Sequence, residues 1–243
     1  MQKFGLIGHP LGHSFSQNFF TEKFKKEGID AVYNLYDLED INLFTELISK
    51  EAISGLNVTI PYKETIIPFL DKIDKTAEEV GAVNVIKIDK SNKQLIGYNS
   101  DCIGFEKSLM PLLKPYHTKA LILGTGGASK AVNFVLNKHH IETKFVSRNT
   151  CNNYLTYESL NKEIIEQHSI IINTTPLGMF PKVDTFPEIP YNFLTPIHIL
   201  YDLVYNPTES IFLKFGTQHG CTIKNGYEML VEQALEAWRI WNK

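Results

Sequence analysis

Short β-rich runs alternate with longer amphipathic stretches in two series, broken near residues 100–118, and this predicts an α/β protein of two α/β domains. Strands joined by crossover helices imply mostly parallel sheets with right-handed connections. Three glycines directly after the apolar run Ala120 to Leu123 suggest a strand-to-helix loop in the second series. Ligands of such folds sit beyond the carboxyl ends of the strands, so function is expected in a cleft between the domains. With 243 residues, 43% hydrophobic and 21% charged, the chain has ordinary globular composition and can bury a core in one large domain or two modest ones.

In the first series "KFGLIG" (3–8), "AVYNLYDL" (31–38) and "GLNVTIP" (55–61) read as strands. Helices are expected over 15–27, where Phe15, Phe19, Phe20 and Phe24 share one face, and over 41–50. "NVIKID" (84–89) and "QLIGYNS" (94–100) are β-runs separated by Lys-Ser-Asn-Lys, a hairpin. A helix from Cys102 to Leu113 ends at "KPYH" (114–117). From Lys119 on, "KALILG", "TKFVS", "SIIINTT", "HILYDLV" and "CTIKNG" are the strand candidates. Helices are expected over 127–139, 158–167 and 209–219, and from Tyr227 to Trp241.

Several function classes drop out on composition. A net charge of −3 with no Lys/Arg cluster offers no footprint for nucleic acid or for a membrane surface. No segment approaches the about 18 apolar residues of a membrane span, and "MQKFGLIGHP" is no signal peptide. The three cysteines, Cys102, Cys151 and Cys221, are far apart and form no CxxC, which favours reduced thiols and a cytoplasmic protein. His9 and His13 stand four apart, but the proline and glycine between them argue against a helix, so no metal site is expected.

The glycine loop carries the first chemical signal. Gly124 permits the tight turn, Gly126 lets the backbone approach a pyrophosphate, and Gly127 opens a helix whose unpaired N–H groups attract anions. Ser129 stands where a dinucleotide fingerprint has its third glycine, while Ala128 and Ala131 keep the helix narrow. A plain strand-to-helix turn would show the same glycines. The end of the next strand tips the balance. An NAD-binding domain places a carboxylate there for the ribose hydroxyls, whereas this chain has Ser147 and Arg148. A guanidinium grips a 2′-phosphate that a carboxylate would repel, so NADP is the expected cofactor.

The first series carries polar residues where apolar ones would be expected. "PLGHSFS" (10–16) presents Ser14 and Ser16 before a helix, as N-caps or as part of a site. "LNVTIPYKE" (56–64) ends a strand with Asn57 and Thr59 and brings Lys63 into the first turn of an expected helix, where a cation is unfavourable. Asn84 opens a strand, and Asn99, Ser100 and Asp101 mark a strand-to-helix junction where Asp101 could be an N-cap. Together these hydroxyls, amides, one lysine and one aspartate suit a neutral polyol carrying one carboxylate.

The sequence resembles the shikimate dehydrogenase family. The resemblance rests on "GHPLGHSFS", "LNVTIPYKE", "GAVNVI", "GYNSDCIG", "GTGGASKAV", "SRN", "NTTPLGM", "YDLVYNP" and "NGYEMLVEQA", in that order from residue 5 to 234. It implies a substrate-binding and catalytic domain (1–101 with the last helix, 227–243) and a Rossmann-like NADP-binding domain (102–226). It also implies reversible reduction of 3-dehydroshikimate to shikimate by NADPH, in aromatic amino-acid biosynthesis. Lys63 and Asp101 match the catalytic pair. Ser14, Ser16, Asn57, Thr59, Asn84, Tyr205 and Gln233 match substrate contacts. Gly124, Thr125, Gly126, Gly127, Ala128 and Ser129 match the cofactor loop, with Ser147 and Arg148 at the adenosine end. Asn173, Thr174, Leu203 and Gly226 match positions near the nicotinamide.

Some positions depart from the family pattern. Ser100 replaces a frequent threonine and Ser147 a usual asparagine. "NTCNNYL" (149–155) lacks a second basic residue, so phosphate recognition rests on Arg148, and the stretch 150–168 is short enough to trim a helix. Lys63 either exchanges the proton or stabilises the alkoxide as a fixed cation with Asp101 in the proton path; the sequence leaves both open. An NAD-dependent quinate/shikimate dehydrogenase is the nearest rival, with a folate-linked methylene dehydrogenase and a nucleotide sensor behind it. Arg148 argues against the first, and the Lys63/Asp101 pair against the other two. Partners are expected to be small molecules only, and the protein a monomer or homodimer.

Overall fold

The computed structural model describes residues 1–12, 14–149 and 153–243; His13 of the histidine pair and Cys151 of the three cysteines lie outside the described residues, with Thr150 and Asn152. The chain divides into two compact units, Met1–Ile103 with Gln233–Lys243, and Gly104–Glu232.

The first unit begins β1 (Gln2–Gly8), α1 (Phe15–Glu27), β2 (Ala31–Asp37), α2 (Leu43–Lys50) and β3 (Ile53–Val58). It continues with β4 (Lys72–Ile73), α3 (Lys75–Val80), β5 (Val85–Ile88) and β6 (Leu95–Tyr98). The sheet order is β2-β1-β3-β5-β6-β4. Strand β5 runs antiparallel to β3 and β6, completing the hairpin read from the sequence, and the other pairings are parallel. Both faces are covered, so the strands are apolar on both sides. One face packs Phe4, Leu6, Tyr33 and Val85 against Phe20 and Phe24 of α1 and against Trp241. The other packs Ile7, Leu56, Val58 and Ile86 against Phe44 of α2 and Ala77 of α3.

The second unit carries β7 (Lys119–Leu123), α5 (Gly127–Lys138), β8 (Glu142–Ser147), β9 (Leu155–Thr156) and α6 (Lys162–Gln167). It goes on through β10 (Ile170–Asn173), β11 (Ile199–Asp202), α7 (Ile211–Gln218) and β12 (Thr222–Lys224). Helices α4 (Asp101–Leu109) and α8 (Tyr227–Trp241) each contain a unit boundary. The order β12-β11-β10-β7-β8-β9 is parallel throughout. Strand order reverses beside β7, so the crevice of this doubly wound sheet opens beyond the carboxyl ends of β7 and β10. Ala120 to Leu123, Ile170 to Ile172, and Leu200 and Tyr201 are fully buried, the continuous apolar runs that a sheet covered on both faces requires.

The structure departs from the sequence reading at several places. The helix expected from Cys102 to Leu113 ends at Leu109 and passes into a 3-10 turn, Met110–Leu112, and the two-residue strands β4 and β9 were not anticipated. No α-helix follows Lys63: turns lead to a 3-10 helix at Ile67–Phe69. Pro68 lacks the N–H that would continue a helix, and one turn between Pro61 and Pro68 cannot repay nucleation. The expected helix over 158–167 is a 3-10 turn, Tyr157–Ser159, followed by the short α6. Helix α3 was not anticipated, although Asp74 caps it by accepting from Thr76 N and Gly81 ends it at φ +70°.

Candidate active site

In the first unit the polar residues gather where β1, β3 and β6 end and the antiparallel β5 begins. Asn57 lies opposite Val85 and Leu6 in register, and Val85 lies opposite Tyr98. Residues Asn84, Asn99 and Ser100, just outside paired strands, are thereby neighbours. Buried amides are costly unless bonded, and each of these has hydrogen-bond partners. The Ser100 N–H donates to Asn84 Oδ1 at 2.7 Å, and Asn84 Nδ2 donates to Ser100 Oγ at 3.1 Å. Ser100 Oγ donates in turn to Oε1 of Gln233 on α8 at 3.4 Å. Asn57 Nδ2 donates to the Asn84 carbonyl at 3.3 Å.

Lys63 and Asp101 meet at this place. Lys63 Nζ donates to Asp101 Oδ2 at 2.6 Å, with only 16% and 9% of the two side chains exposed. The Lys63 carbonyl accepts from Val83 N at 2.7 Å, which fixes the backbone of the turn. Because no helix starts at Lys63, the expected conflict with a helix dipole does not arise; a carboxylate faces the cation instead. Asp101 is not the N-cap the sequence allowed. Asn99 Oδ1 takes the Cys102 N–H at 3.2 Å, which leaves the Asp101 carboxylate in the first turn of α4, favoured by the dipole and available to Lys63.

Ser14 caps α1, accepting from Gln17 N at 3.4 Å, and remains half-buried, as does Ser16. Thr59 is half-buried, its N–H donating to Ile7 O at 2.9 Å. His9 Nδ1 lies within hydrogen-bond distance of Asp37 Oδ1 (2.7 Å), and the Leu11 N–H donates to Asp37 Oδ2 (3.1 Å), which ties residues 9–11 to the end of β2. Sequence reasoning passed over Tyr33. Its buried hydroxyl donates to Asn57 Oδ1 at 2.8 Å, but a tyrosine in an apolar strand reads as core. Tyr205 belongs to the second unit, and burial pushes its phenol above the ordinary value.

The second unit places its glycine loop at the crevice of its own sheet. Gly124 has φ +104°, and a Cβ there would lie 2.9 Å from Thr174 Oγ1 and Thr175 Cγ2. Gly126 is different: a Cβ would meet nothing within 4 Å. Its exposed backbone at the N-cap of α5 therefore leaves room for a ligand, and no side chain caps the helix. Thr125 is exposed, and Gly127 and Ala128 are half-buried. Ser129 is fully buried and donates to the Gly126 carbonyl at 2.6 Å, so it shapes the loop from inside. Such a cradle fits a dinucleotide diphosphate.

At the end of β8, Ser147 Oγ accepts from Asn149 N at 3.1 Å, which leaves its hydrogen for donation. Arg148 is exposed and lines a cavity of about 430 Å³ with Tyr157, Leu177 and Phe186. Glu158, Asp184 and Glu188 line the same cavity. The guanidinium there suits a phosphate; the carboxylates oppose one.

The remaining cofactor candidates lie beyond β10 and β11. Asn173 is fully buried, and its amide is committed internally. Nδ2 donates to Asp202 Oδ1 (2.9 Å), and Oδ1 accepts from Thr175 N (3.0 Å) and Thr175 Oγ1 (2.6 Å). Asp202, which sequence reasoning missed, also accepts from Val204 N and from Ser210 Oγ, and burial pushes its carboxyl up to about 6. Thr174 Oγ1 donates to Leu123 O at 2.7 Å, joining the ends of β7 and β10. The Leu203 carbonyl sits where any side chain on Gly226 would have to go, 2.1 Å from a Cβ there. Among the described residues no group of three or more His, Cys, Asp or Glu could hold a metal ion, and no helix is long and apolar enough to cross a membrane.

A sequence model described as shikimate dehydrogenase substrate binding domain matches residues 6–86. A protein of Methanococcus maripaludis named shikimate dehydrogenase (NADP(+)) is 40% identical over 258 residues, covering 98% of this chain and 90% of that one. A crystal structure of a shikimate dehydrogenase in complex with NADP+ is 33% identical with a TM-score of 0.85, covering 99% of this chain and 89% of the other. A quinate dehydrogenase from Corynebacterium glutamicum in complex with NAD is 25% identical with a TM-score of 0.87, over 99% and 93%.

Proposed function

The chain belongs to the shikimate dehydrogenase family, and we propose that it catalyses the reversible NADPH-dependent reduction of 3-dehydroshikimate to shikimate. The observation that carries this reading is the Lys63–Asp101 pair, 2.6 Å apart and largely buried beside bonded amides and hydroxyls. When bound, the dinucleotide supplies the hydride. The chain's part is position and charge. Lys63 Nζ meets the substrate oxygen as it becomes an alkoxide and delivers the proton, within hydrogen-bond reach. Asp101 anchors Nζ and favours its cationic form, and the proton that Nζ gives up is replaced from solvent.

Ser14 and Ser16 hold the substrate carboxylate, and Asn57, Thr59, Asn84, Tyr205 and Gln233 its hydroxyls. The loop Gly124 to Ser129 and the start of α5 hold the diphosphate, with Ser147 and Arg148 at the 2′-phosphate. Asn173, Thr174, Leu203 and Gly226 shape the nicotinamide end. On this reading residues 1–101 with 227–243 form the substrate-binding and catalytic domain and 102–226 the cofactor domain. The protein works in the cytoplasm on small molecules, as a monomer or homodimer.

The test follows the near-ultraviolet absorbance of reduced nicotinamide with shikimate or quinate and each cofactor. Rapid turnover of shikimate with NADP+ is expected. Turnover of quinate alone, or none with either acid, overturns the proposal. One observation favours a second reading, NAD-dependent quinate/shikimate oxidation: Glu158, Asp184 and Glu188 share the Arg148 cavity. Faster turnover with NAD+ than with NADP+ would select it.

A further inference from the structure

We propose that Tyr33 is a positioning residue for substrate recognition: its buried hydroxyl, bonded to Asn57, sets the direction in which that amide presents its polar atoms. The inference rests on the reading of Asn57 as a substrate contact.

The sheet itself brings these groups together. Tyr33 on β2 and Gly55 on β3 are both partners of Phe4 on β1, so β1 alone separates Tyr33 from β3. Leu56 and Val58 belong to one core, which turns Asn57 to the opposite face with Leu6, Tyr33 and Val85. An amide on that face has apolar neighbours and needs bonds of its own. Tyr33 provides one, donating its hydroxyl hydrogen to Asn57 Oδ1 at 2.8 Å, and Asn57 Nδ2 donates to the Asn84 carbonyl at 3.3 Å. With the phenol as donor on one side and the carbonyl as acceptor on the other, one amide orientation is selected. Asn57 then offers a substrate hydroxyl its second Nδ2 hydrogen, as a donor.

Burial pushes the phenol far above its ordinary value, so it stays a neutral donor at every working pH. The ring is held by stacking on Phe20 at 4.9 Å and by the core around Trp241. A hydroxyl on a locked ring is a fixed reference for the Asn57 amide on β3.

Tyr33→Phe removes the oxygen and keeps the ring. Steady-state kinetics with shikimate and NADP+ should show KM for shikimate raised roughly three- to tenfold, the usual worth of one such bond. The kcat and the KM for NADP+ should stay within about twofold, and the melting temperature within a few degrees. In an Asn57→Ala background the same substitution should add less than about twofold, because the group it acts through is gone. An unchanged shikimate KM in Tyr33→Phe overturns the inference. So does an equal rise in both KM values, or a full penalty in the Asn57→Ala background. An unaltered protein inert toward shikimate sinks the functional reading and this inference with it, whereas an active one with an indifferent Tyr33→Phe sinks the inference alone.

Discussion

Lys63 and Asp101 show what a single residue contributes here. The ammonium lies 2.6 Å from a carboxylate that is itself 9% exposed, so each charge is matched locally and little water screens the pair. Lys63→Ala is expected to lower kcat by about 10²- to 10⁴-fold while the KM for shikimate barely moves, the signature of a group needed in the transition state. A kcat that survives with only KM changed would remove Lys63 from proton transfer. Ser14→Ala/Ser16→Ala should do the reverse, raising the shikimate KM strongly with kcat nearly kept; unchanged kinetics would take both serines out of the site. Gly226 is constrained in another way. A Cβ would sit 2.1 Å from the Leu203 carbonyl oxygen, so Gly226→Ala must displace the backbone, and the loss should show as weakened binding of the dinucleotide in a fluorescence titration. At this scale candidates were legible where a polar side chain broke an apolar pattern, as at Asn57 and Lys63. Tyr33 and Asp202 stayed hidden because their partners, Asn57 and Asn173, are far away in sequence and close only across strands.

Elements decide how those residues are held. Helix α8 ends in Trp241, whose indole N–H donates to the Ile86 carbonyl at 3.1 Å and whose ring stacks on Phe4 at 4.8 Å. Gly55 leaves the space for it, since a Cβ there would lie 2.4 Å from the indole. The last turns of the chain are therefore core of the first unit, and Trp241→Ala should cost about 3–5 kcal/mol in urea unfolding. A loss under about 1 kcal/mol would show that the helix end is dispensable. The same helix carries Gln233 to Ser100, so packing and site share one element. The segment after Lys63 gives the opposite lesson. A helix was expected there, yet only turns and a 3-10 helix form, because Pro68 stops a second helical turn.

Over the whole molecule, polar site candidates lie at strand ends, and one buried titratable group, His168, precedes the start of β10 instead. His168 is 1% exposed, its Nδ1 meets the Ile164 carbonyl at 2.7 Å, and its Nε2 has no partner among the described residues. Burial lowers its pKa from 6.5, helped by Lys144 and Lys119. The folded chain then binds fewer protons than the unfolded one below that value. Stability is fully present above about pH 6.5 and declines as the pH falls toward the depressed value. Urea midpoints measured from pH 7 to pH 5 should fall more steeply in the natural protein than in His168→Gln; parallel curves would clear His168 of that role. The alternation of strands and helices in two series, the glycine loop and the Lys63/Asp101 candidates were read from the sequence alone, because periodicity, turn residues and misplaced polar groups are local signals. The pairing of Lys63 with Asp101, the transfer of the cap from Asp101 to Asn99, and the network of Tyr33, Asn57, Asn84, Ser100 and Gln233 were decided only by tertiary structure. Hydrogen bonds between residues distant in sequence depend on strand register and on what burial leaves unpaired, and neither is written in any short stretch of chain.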